Sequence, residues 1–337
     1  MKLFRFYCTN IVQSYKTFSC YSKKNGTYSV FFCYFCTKFR MKFVVYIFYA
    51  LIWLLAWLPL GVLYAVSNVV FVFVYYVARY RRKITRRNLK NAFPDKPDKE
   101  IRRIERRFYL HFCDSIFEII KLIHIPDKVM RKRFVYKNLH VIDDLYAKNQ
   151  NAILYLGHYG NWEWTIFAKA VQENHAHEYK AYSIYHPLRN KAFDDFMLRL
   201  RSKSGSVLVP QNKVLRTIVE MKGGKMPGFL CFIADQSPRR SGIAFWMKWL
   251  NQDTAPIVGA EKLAKQTGYP VVYLDIQKPK RGHYTGEFII MTENPAETEE
   301  FEITKQYMHL MEKTILRDPA YWLWTHKRWK HKQMNDK

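Results

Sequence analysis

From Phe43 to Ala78 the chain carries no formally charged residue, and no other stretch restricts its folding as strongly. A run of that length is too long for one ordinary buried helix and apolar enough to reach a bilayer. Pro59 and Gly61 divide it into two pieces, each a little short of the roughly 20 residues that a comfortable span needs. The pattern therefore predicts one span plus a re-entrant or interfacial helix over residues 41–80. A cleaved signal peptide fits poorly, because the apolar region is too long and no small-residue cleavage site with a polar sequel follows. Instead Arg79, Arg81, Arg82, Lys83, Arg86, Arg87 and Lys90 come next. Such a cluster marks a cytoplasmic flank and holds anionic headgroups at about 1 kcal/mol per basic residue.

The segment before Met41 has no acidic residue and no clear period. We expect residues 1–40 to be an upstream extension outside the fold, with Met41 the natural start; mass spectrometry of the native amino terminus checks this. Four of the six cysteines lie there, and Cys33 and Cys36 have half of a zinc or redox spacing with no second pair, a chance match. The net charge of +27 calls for polyanionic company: nucleic acid, anionic lipid or an acidic protein. Charge alone does not choose among them, and the 24 Phe, 24 Tyr and 9 Trp suit a membrane interface as well as base stacking.

Pro94, Pro97 and Asp98 precede a stretch with Ile101, Ile104, Phe108, Phe112, Ile116, Ile119, Ile120 and Ile123 at helical spacing. Residues 81–126 thus form a basic amphipathic helical segment. Its arginines either lie on the bilayer or make a solvated face. After Pro126 short apolar runs alternate with helical segments. Strands are expected at 152–156, 180–185, 206–209, 228–234, 270–276 and 285–291, and helices near 162–173, 189–203, 212–222, 256–267 and 300–316. Continuous apolar strands separated by helices imply an α/β domain over 127–337 with a mostly parallel sheet flanked by helices. In such sheets ligands gather at the carboxyl ends of strands.

His158 lies just past one such end, in Gly157-His158-Tyr159-Gly160-Asn161-Trp162-Glu163. On a continuous helix His158 and Glu163 would point about 140° apart, but a glycine-flanked turn can fold them together as a base and its orienting carboxylate. A histidine beside glycine is more often a plain turn residue. Glu163 in the first helical turn is favoured as an anion by the helix dipole, which suits orienting His158 better than taking a proton. Three further stretches end in polar residues. Arg189 and Asn190, with Asp194 beyond, can bind phosphate or carboxylate or polarise a carbonyl, or can be a solvated helix start. Asp235 and Gln236 follow an apolar strand and either shape a site wall or cap the next segment. Tyr321 to Lys330, aromatic and basic together, either binds a headgroup or packs the terminus. The chain lacks a Gly-x-Ser-x-Gly elbow, a Walker A loop, a His-Glu-x-x-His zinc motif and a dinucleotide-binding glycine fingerprint. A histidine with a carboxylate and no protein nucleophile suggests direct activation of a hydroxyl or water.

Taken in order, these stretches resemble the bacterial lipid A late acyltransferases, the lauroyl and myristoyl transferase family within the His-x4-Asp/Glu acyltransferases. The resemblance runs from about Met41 to Lys330. It rests on the apolar amino terminus, Arg86-Arg87-Asn88-Leu89 with Ala92-Phe93-Pro94, the His158 motif, Pro187-Leu188-Arg189-Asn190 with Asp194, Ala234-Asp235-Gln236, and Trp324 to Lys330. Two departures are Asn190-Lys191 in place of Asn-Pro, and a loose Phe245-Trp246-Met247-Lys248-Trp249 in place of an aromatic and glycine block.

The resemblance implies a glycerolipid-acyltransferase-like fold with an amino-terminal membrane anchor, at the inner membrane and facing the cytoplasm. It implies transfer of a fatty acyl group from acyl carrier protein to a hydroxyl on an acyl chain of a lipid A precursor, without metal or organic cofactor and without nucleic acid as a partner. His158 would be the base, Glu163 its support, and Arg189 the oxyanion or positioning group. Asn161, Asn190, Asp194, Asp235 and Gln236 would bind substrate. Two alternatives are acylation of a lysophospholipid or ornithine lipid, and a non-enzymatic basic protein tethered to the membrane.

Overall fold

The structure is a computed structural model, and it describes residues 49–166, 180–187, 191–202, 205–224 and 227–331. Contacts divide the chain into two units, residues 1–52 and 53–337. Of the first, only the helical residues 49–52 are described.

The second unit is built on a seven-stranded sheet of order β1-β9-β8-β2-β5-β3-β4. These strands are β1 (Phe134–Lys137), β2 (Ala152–Leu156), β3 (Lys180–Tyr185), β4 (Val207–Pro210), β5 (Gly228–Ile233), β8 (Val271–Lys280) and β9 (His283–Thr292). The remaining pair, β6 (Met247–Trp249) and β7 (Gln252–Thr254), forms a separate antiparallel hairpin. From β8 to β4 every neighbouring pair is parallel; only β8 and β9 pair antiparallel, and β1 then runs parallel to β9. This is the mostly parallel α/β sheet that the apolar runs predict. All five residues of β2 are buried, as a central strand covered on both faces requires. The strands that the sequence pattern does not announce are β1, β6 and β7, which have only three or four residues each.

Helices α1 (Leu60–Val72), α2 (Arg82–Ala92), α3 (Asp98–Lys121), α4 (Asp127–Arg133) and α5 (His140–Ala147) precede β2. Helices α6 (Lys191–Ser202), α7 (Val214–Lys222), α8 (Gly259–Thr267) and α9 (Glu302–Arg317) are interleaved with or follow the later strands. The helix expected over 162–173 begins as a 3-10 turn, Trp162–Ile166, and its remainder lies outside the described residues. Helix α1 starts after Pro59, where the apolar run was expected to divide, and continues through a π-helical turn to Val77. Leu60–Val77 is 18 residues with a mean hydropathy of 2.0, long and apolar enough to cross a membrane by length and composition.

One face of α1 is not free. Leu60 and Leu63 pack with Phe117 of α3, and Ser67 and Phe71 are also buried. Polar bonds fasten the same face: Ser67 Oγ donates to Asp114 at 2.7 Å, Tyr64 Oη to Glu118 at 2.9 Å, and Arg281 bridges Asp114 and Asn68. The opposite face presents Val62, Val69, Val72, Phe73, Tyr76 and Val77 outward. Helix α3 buries an apolar stripe (Ile101, Ile104, Phe108), with Glu105 on one flank of it and His111, Asp114 and Glu118 on the other. Glu105 takes Arg82 and Arg86 from the basic cluster, so part of that cluster is consumed inside the fold.

Candidate active site

Parallel pairing decides which residues meet. Strands β2 and β5 are neighbours with Leu156 opposite Ile233, so residues two past each strand end, His158 and Asp235, emerge at the same level. His158 Nδ1 lies 2.7 Å from Asp235 Oδ1, and the His158 backbone N–H donates to Oδ2 at 3.0 Å. Trp322 Nε1 donates to the same Oδ2 at 2.7 Å. Asp235 is 1% exposed. Burial pushes its carboxyl upward, but the attraction of His158 and the bonds from His158 and Trp322 outweigh this and hold it below the ordinary carboxyl range. The anionic carboxylate fixes the proton of His158 on Nδ1 and leaves Nε2 as the basic nitrogen. Gln236 faces that nitrogen, with its Nε2 at 3.2 Å. His158 keeps 19% of its side chain exposed, so the imidazole is not sealed inside the core.

The turn carrying His158 is held by two close approaches and by the carboxyl-terminal segment. A Cβ on Gly157 would collide with Met311 of α9, and Gly160 has φ +58° with Ile276 and Tyr284 where a side chain would go. Tyr159 pairs with Trp322 as an isolated antiparallel bridge, with Gly160 N bonded to Tyr321 O at 2.9 Å and Leu323 N to His158 O at 3.1 Å. Residues 321–329 therefore close the site from behind: Trp322 and Trp324 are buried, and Trp329 packs on the core. Arg328 is also buried, donating to Ala255 O at 2.9 Å, and desolvation pushes it down to about 10. For these residues, packing of the terminus is the reading the structure supports.

The expected His158–Glu163 contact is replaced by two different pairs. Glu163 sits in the 3-10 turn after Asn161 and accepts from Arg201 Nε of α6 at 2.8 Å, in a two-pronged ion pair. Burial lowers the Arg201 guanidinium, and the bonds and charge of Glu163 more than restore it. The physical reason is the direction of the chain. After Gly160 the backbone enters a helical turn that carries Trp162 past His158, ring centroids 5.1 Å apart and edge-on, and takes the carboxylate toward α6. Asn161 is likewise turned inward: it is 1% exposed and its Nδ2 donates to Glu118 at 2.7 Å, in place of the direct substrate contact expected for it. Asp194 lies in the first turn of α6, half-buried, where its charge acts on Arg201 and Tyr185. Arg189 and Asn190 lie outside the described residues. Of the expected set, the structure brings His158, Asp235 and Gln236 together.

Sequence reasoning missed Trp322 as a support of Asp235, since its aromatic-basic surroundings pointed equally to packing or to a headgroup. It also missed His326. The charges of Asp235 and His158 act on that imidazole, and burial pushes it down to about 4. The two described cysteines, Cys113 and Cys231, are free, and burial pushes both thiols up to about 12, so neither is poised as a thiolate nucleophile.

The family model for bacterial lipid A biosynthesis acyltransferases matches residues 33–331. The chain is similar to the lipid A biosynthesis palmitoleoyltransferase of Escherichia coli (strain K12), 21% identical over 287 residues that cover 85% of this chain and 90% of that protein. It is similar to the lipid A biosynthesis lauroyltransferase of the same organism, 22% identical over 289 residues, 82% of this chain and 91% of the other. A lipid A biosynthesis acyltransferase 2 of Shigella flexneri is 27% identical over 188 residues, 55% of this chain and 58% of its own length.

Proposed function

This chain belongs to the bacterial lipid A biosynthesis acyltransferase family, and on that premise we propose that it moves a fatty acyl group from an acyl carrier protein thioester to a hydroxyl on an acyl chain of a lipid A precursor. The observation that carries the mechanism is the His158–Asp235 pair, which leaves Nε2 of a partly exposed imidazole facing only the Gln236 amide among the described residues. The acceptor hydroxyl takes the place of the Gln236 amide at Nε2. As its oxygen attacks the thioester carbonyl, His158 removes the proton, and Asp235 holds the Nδ1 proton and stabilises the imidazolium. The tetrahedral adduct collapses with cleavage of the C–S bond, and the imidazolium returns the proton to the departing thiolate. The displaced Gln236 amide and Arg189 are the candidate donors to the transient oxyanion. Glu163, through Arg201, holds Trp162 beside the imidazole.

The donor and acceptor suit the rest of the chain. An acidic carrier protein and a phosphorylated glycolipid both match a net charge of +27. An acceptor hydroxyl at membrane depth matches the outward apolar face of α1, with the catalytic domain on the cytoplasmic side of the inner membrane. Residues 41–80 would serve as the anchor and 127–337 as the catalytic domain.

The test is an acyl transfer assay with purified membranes, lipid A precursor and a panel of acyl carrier protein thioesters. Wild type transfers acyl groups, and His158→Ala loses at least about a thousandfold while the protein stays in the membrane fraction. Full activity of His158→Ala would overturn the mechanism.

A further inference from the structure

Glu118 of α3 is 0% exposed and has no ion-pair partner among the described residues. It accepts instead from three neutral side chains: Tyr64 Oη at 2.9 Å, Asn161 Nδ2 at 2.7 Å and Tyr284 Oη at 2.8 Å. Its backbone carbonyl takes Trp164 Nε1 at 3.1 Å. A buried carboxylate is a poor way to fill space, since apolar residues of similar volume are often as stable or more so. What distinguishes Glu118 is where its donors come from. Tyr64 belongs to the apolar helix α1, Tyr284 to β9, and Asn161 closes the Gly157–Asn161 turn that carries His158.

Seven residues earlier on the same face of α3, His111 holds the same turn by its backbone. Its Nε2 is 3.2 Å from Gly160 O, and its Nδ1 is 3.0 Å from Nζ of Lys278. Burial and the neighbouring Lys278 keep this imidazole neutral, so Nδ1 accepts from the lysine and Nε2–H donates to the turn. The turn is thus held on one side by Asp235 and residues 321–323, and on the other by one helix.

We infer that Glu118 is a positioning residue for acyl transfer: through Asn161 it sets the His158 turn, and through Tyr64 it makes the apolar helix α1 part of the frame of the active site. The inference rests on the acyl-transfer reading for its kinetic test. Glu118→Gln replaces two acceptor oxygens by one and presents an amide N–H to donors, with little change of volume. Turnover should fall about 10- to 100-fold, the effect of a misplacement on the order of 1 Å, with KM for thioester and acceptor within about twofold of wild type. Tyr64→Phe removes only the α1 connection and should lower turnover about three- to tenfold.

A purely structural Glu118 would lower the thermal midpoint and leave turnover below that midpoint within about twofold in both variants, and that result overturns the inference. Amide hydrogen exchange separates it from the underlying reading. In Glu118→Gln, exchange at residues 157–161 should rise relative to α9, whether or not the chosen thioesters are substrates. A wild type without transfer defeats the acyl-transfer reading; unchanged exchange at 157–161 defeats the role of Glu118. Should Glu118→Gln fail to fold, Tyr64→Phe gives both measurements, and unchanged turnover and exchange in that variant overturn the inference.

Discussion

Asp235 and Glu163 are both buried carboxylates, 1% and 5% exposed, and the fold gives them opposite tasks. Asp235 accepts from the imidazole, the backbone N–H of His158 and an indole, and it lines up one proton. Glu163 is neutralised by the two-pronged guanidinium of Arg201 and fastens one element to another. The difference comes from how each was placed. Asp235 is 77 residues from His158 but one strand away, with the two strands in register. Glu163 is five residues away along the chain, and the helical turn after Gly160 turns its carboxylate elsewhere. Register in a parallel sheet is a better guide to which side chains pair than nearness in sequence.

The comparison breaks most visibly at Asp235→Asn. The amide keeps the shape but presents either a neutral oxygen or an N–H to Nδ1, so the imidazole loses both its fixed tautomer and its counter-charge. A fall in kcat of about 10³ to 10⁴ is expected in the membrane transfer assay, with thermal stability changed much less. A variant within tenfold of wild type would remove Asp235 from the mechanism.

Glu163→Gln should act in the reverse proportion. It takes from half-buried Arg201 the carboxylate that grips it with two prongs, so the thermal midpoint drops clearly, while kcat falls only about tenfold through a looser Trp162. Removing both members, Glu163→Leu with Arg201→Leu, should recover much of the lost stability, since a buried ion pair is often replaceable by apolar packing. If Glu163→Gln instead matched Asp235→Asn in kcat with unchanged stability, the orienting carboxylate expected from the sequence would be reinstated.

Most of the sheet could be read in advance because its central strands are continuous apolar runs: β2 and β3 have the bounds expected, and β4, β5, β8 and β9 differ at their ends by one to four residues. The order of the strands had no local signal, and neither did the reversal of β9 against β8. At the site, Gly157 and Gly160 marked the turn correctly, since a Cβ on Gly157 would meet Met311 and Gly160 has φ +58°. The pairing of His158 was missed because it depends on β2 and β5 being neighbours, a property of the whole sheet. Glu118 was invisible for another reason. Helix α3 was read for its apolar period, yet Glu105, Asp114 and Glu118 are all buried on the flanks of that stripe. Acidic residues in so basic a chain were the available clue.

The smallest expected effect tests whether Asp235 works by alignment or by a general negative field. His326 lies within reach of the Asp235 charge, which favours a protonated imidazole, yet burial outweighs that attraction and pushes it from 6.5 down to about 4. Between those values the unfolded chain binds a proton that the folded chain does not, so folding stability rises with pH from about 4 to about 6.5 and levels off above. His111 and His283 are lowered as well and contribute in the same sense. His326→Gln removes one part of this slope: the loss of thermal midpoint on going from about pH 7.5 to pH 5 should shrink by about a few degrees. A steeper loss in the variant would mean that His326 is protonated in the fold and that the field of Asp235 dominates this end of the sheet. A shallower one means that burial outweighs the attraction of Asp235 at His326, so the strong action of that carboxylate is kept for the imidazole to which it is hydrogen-bonded.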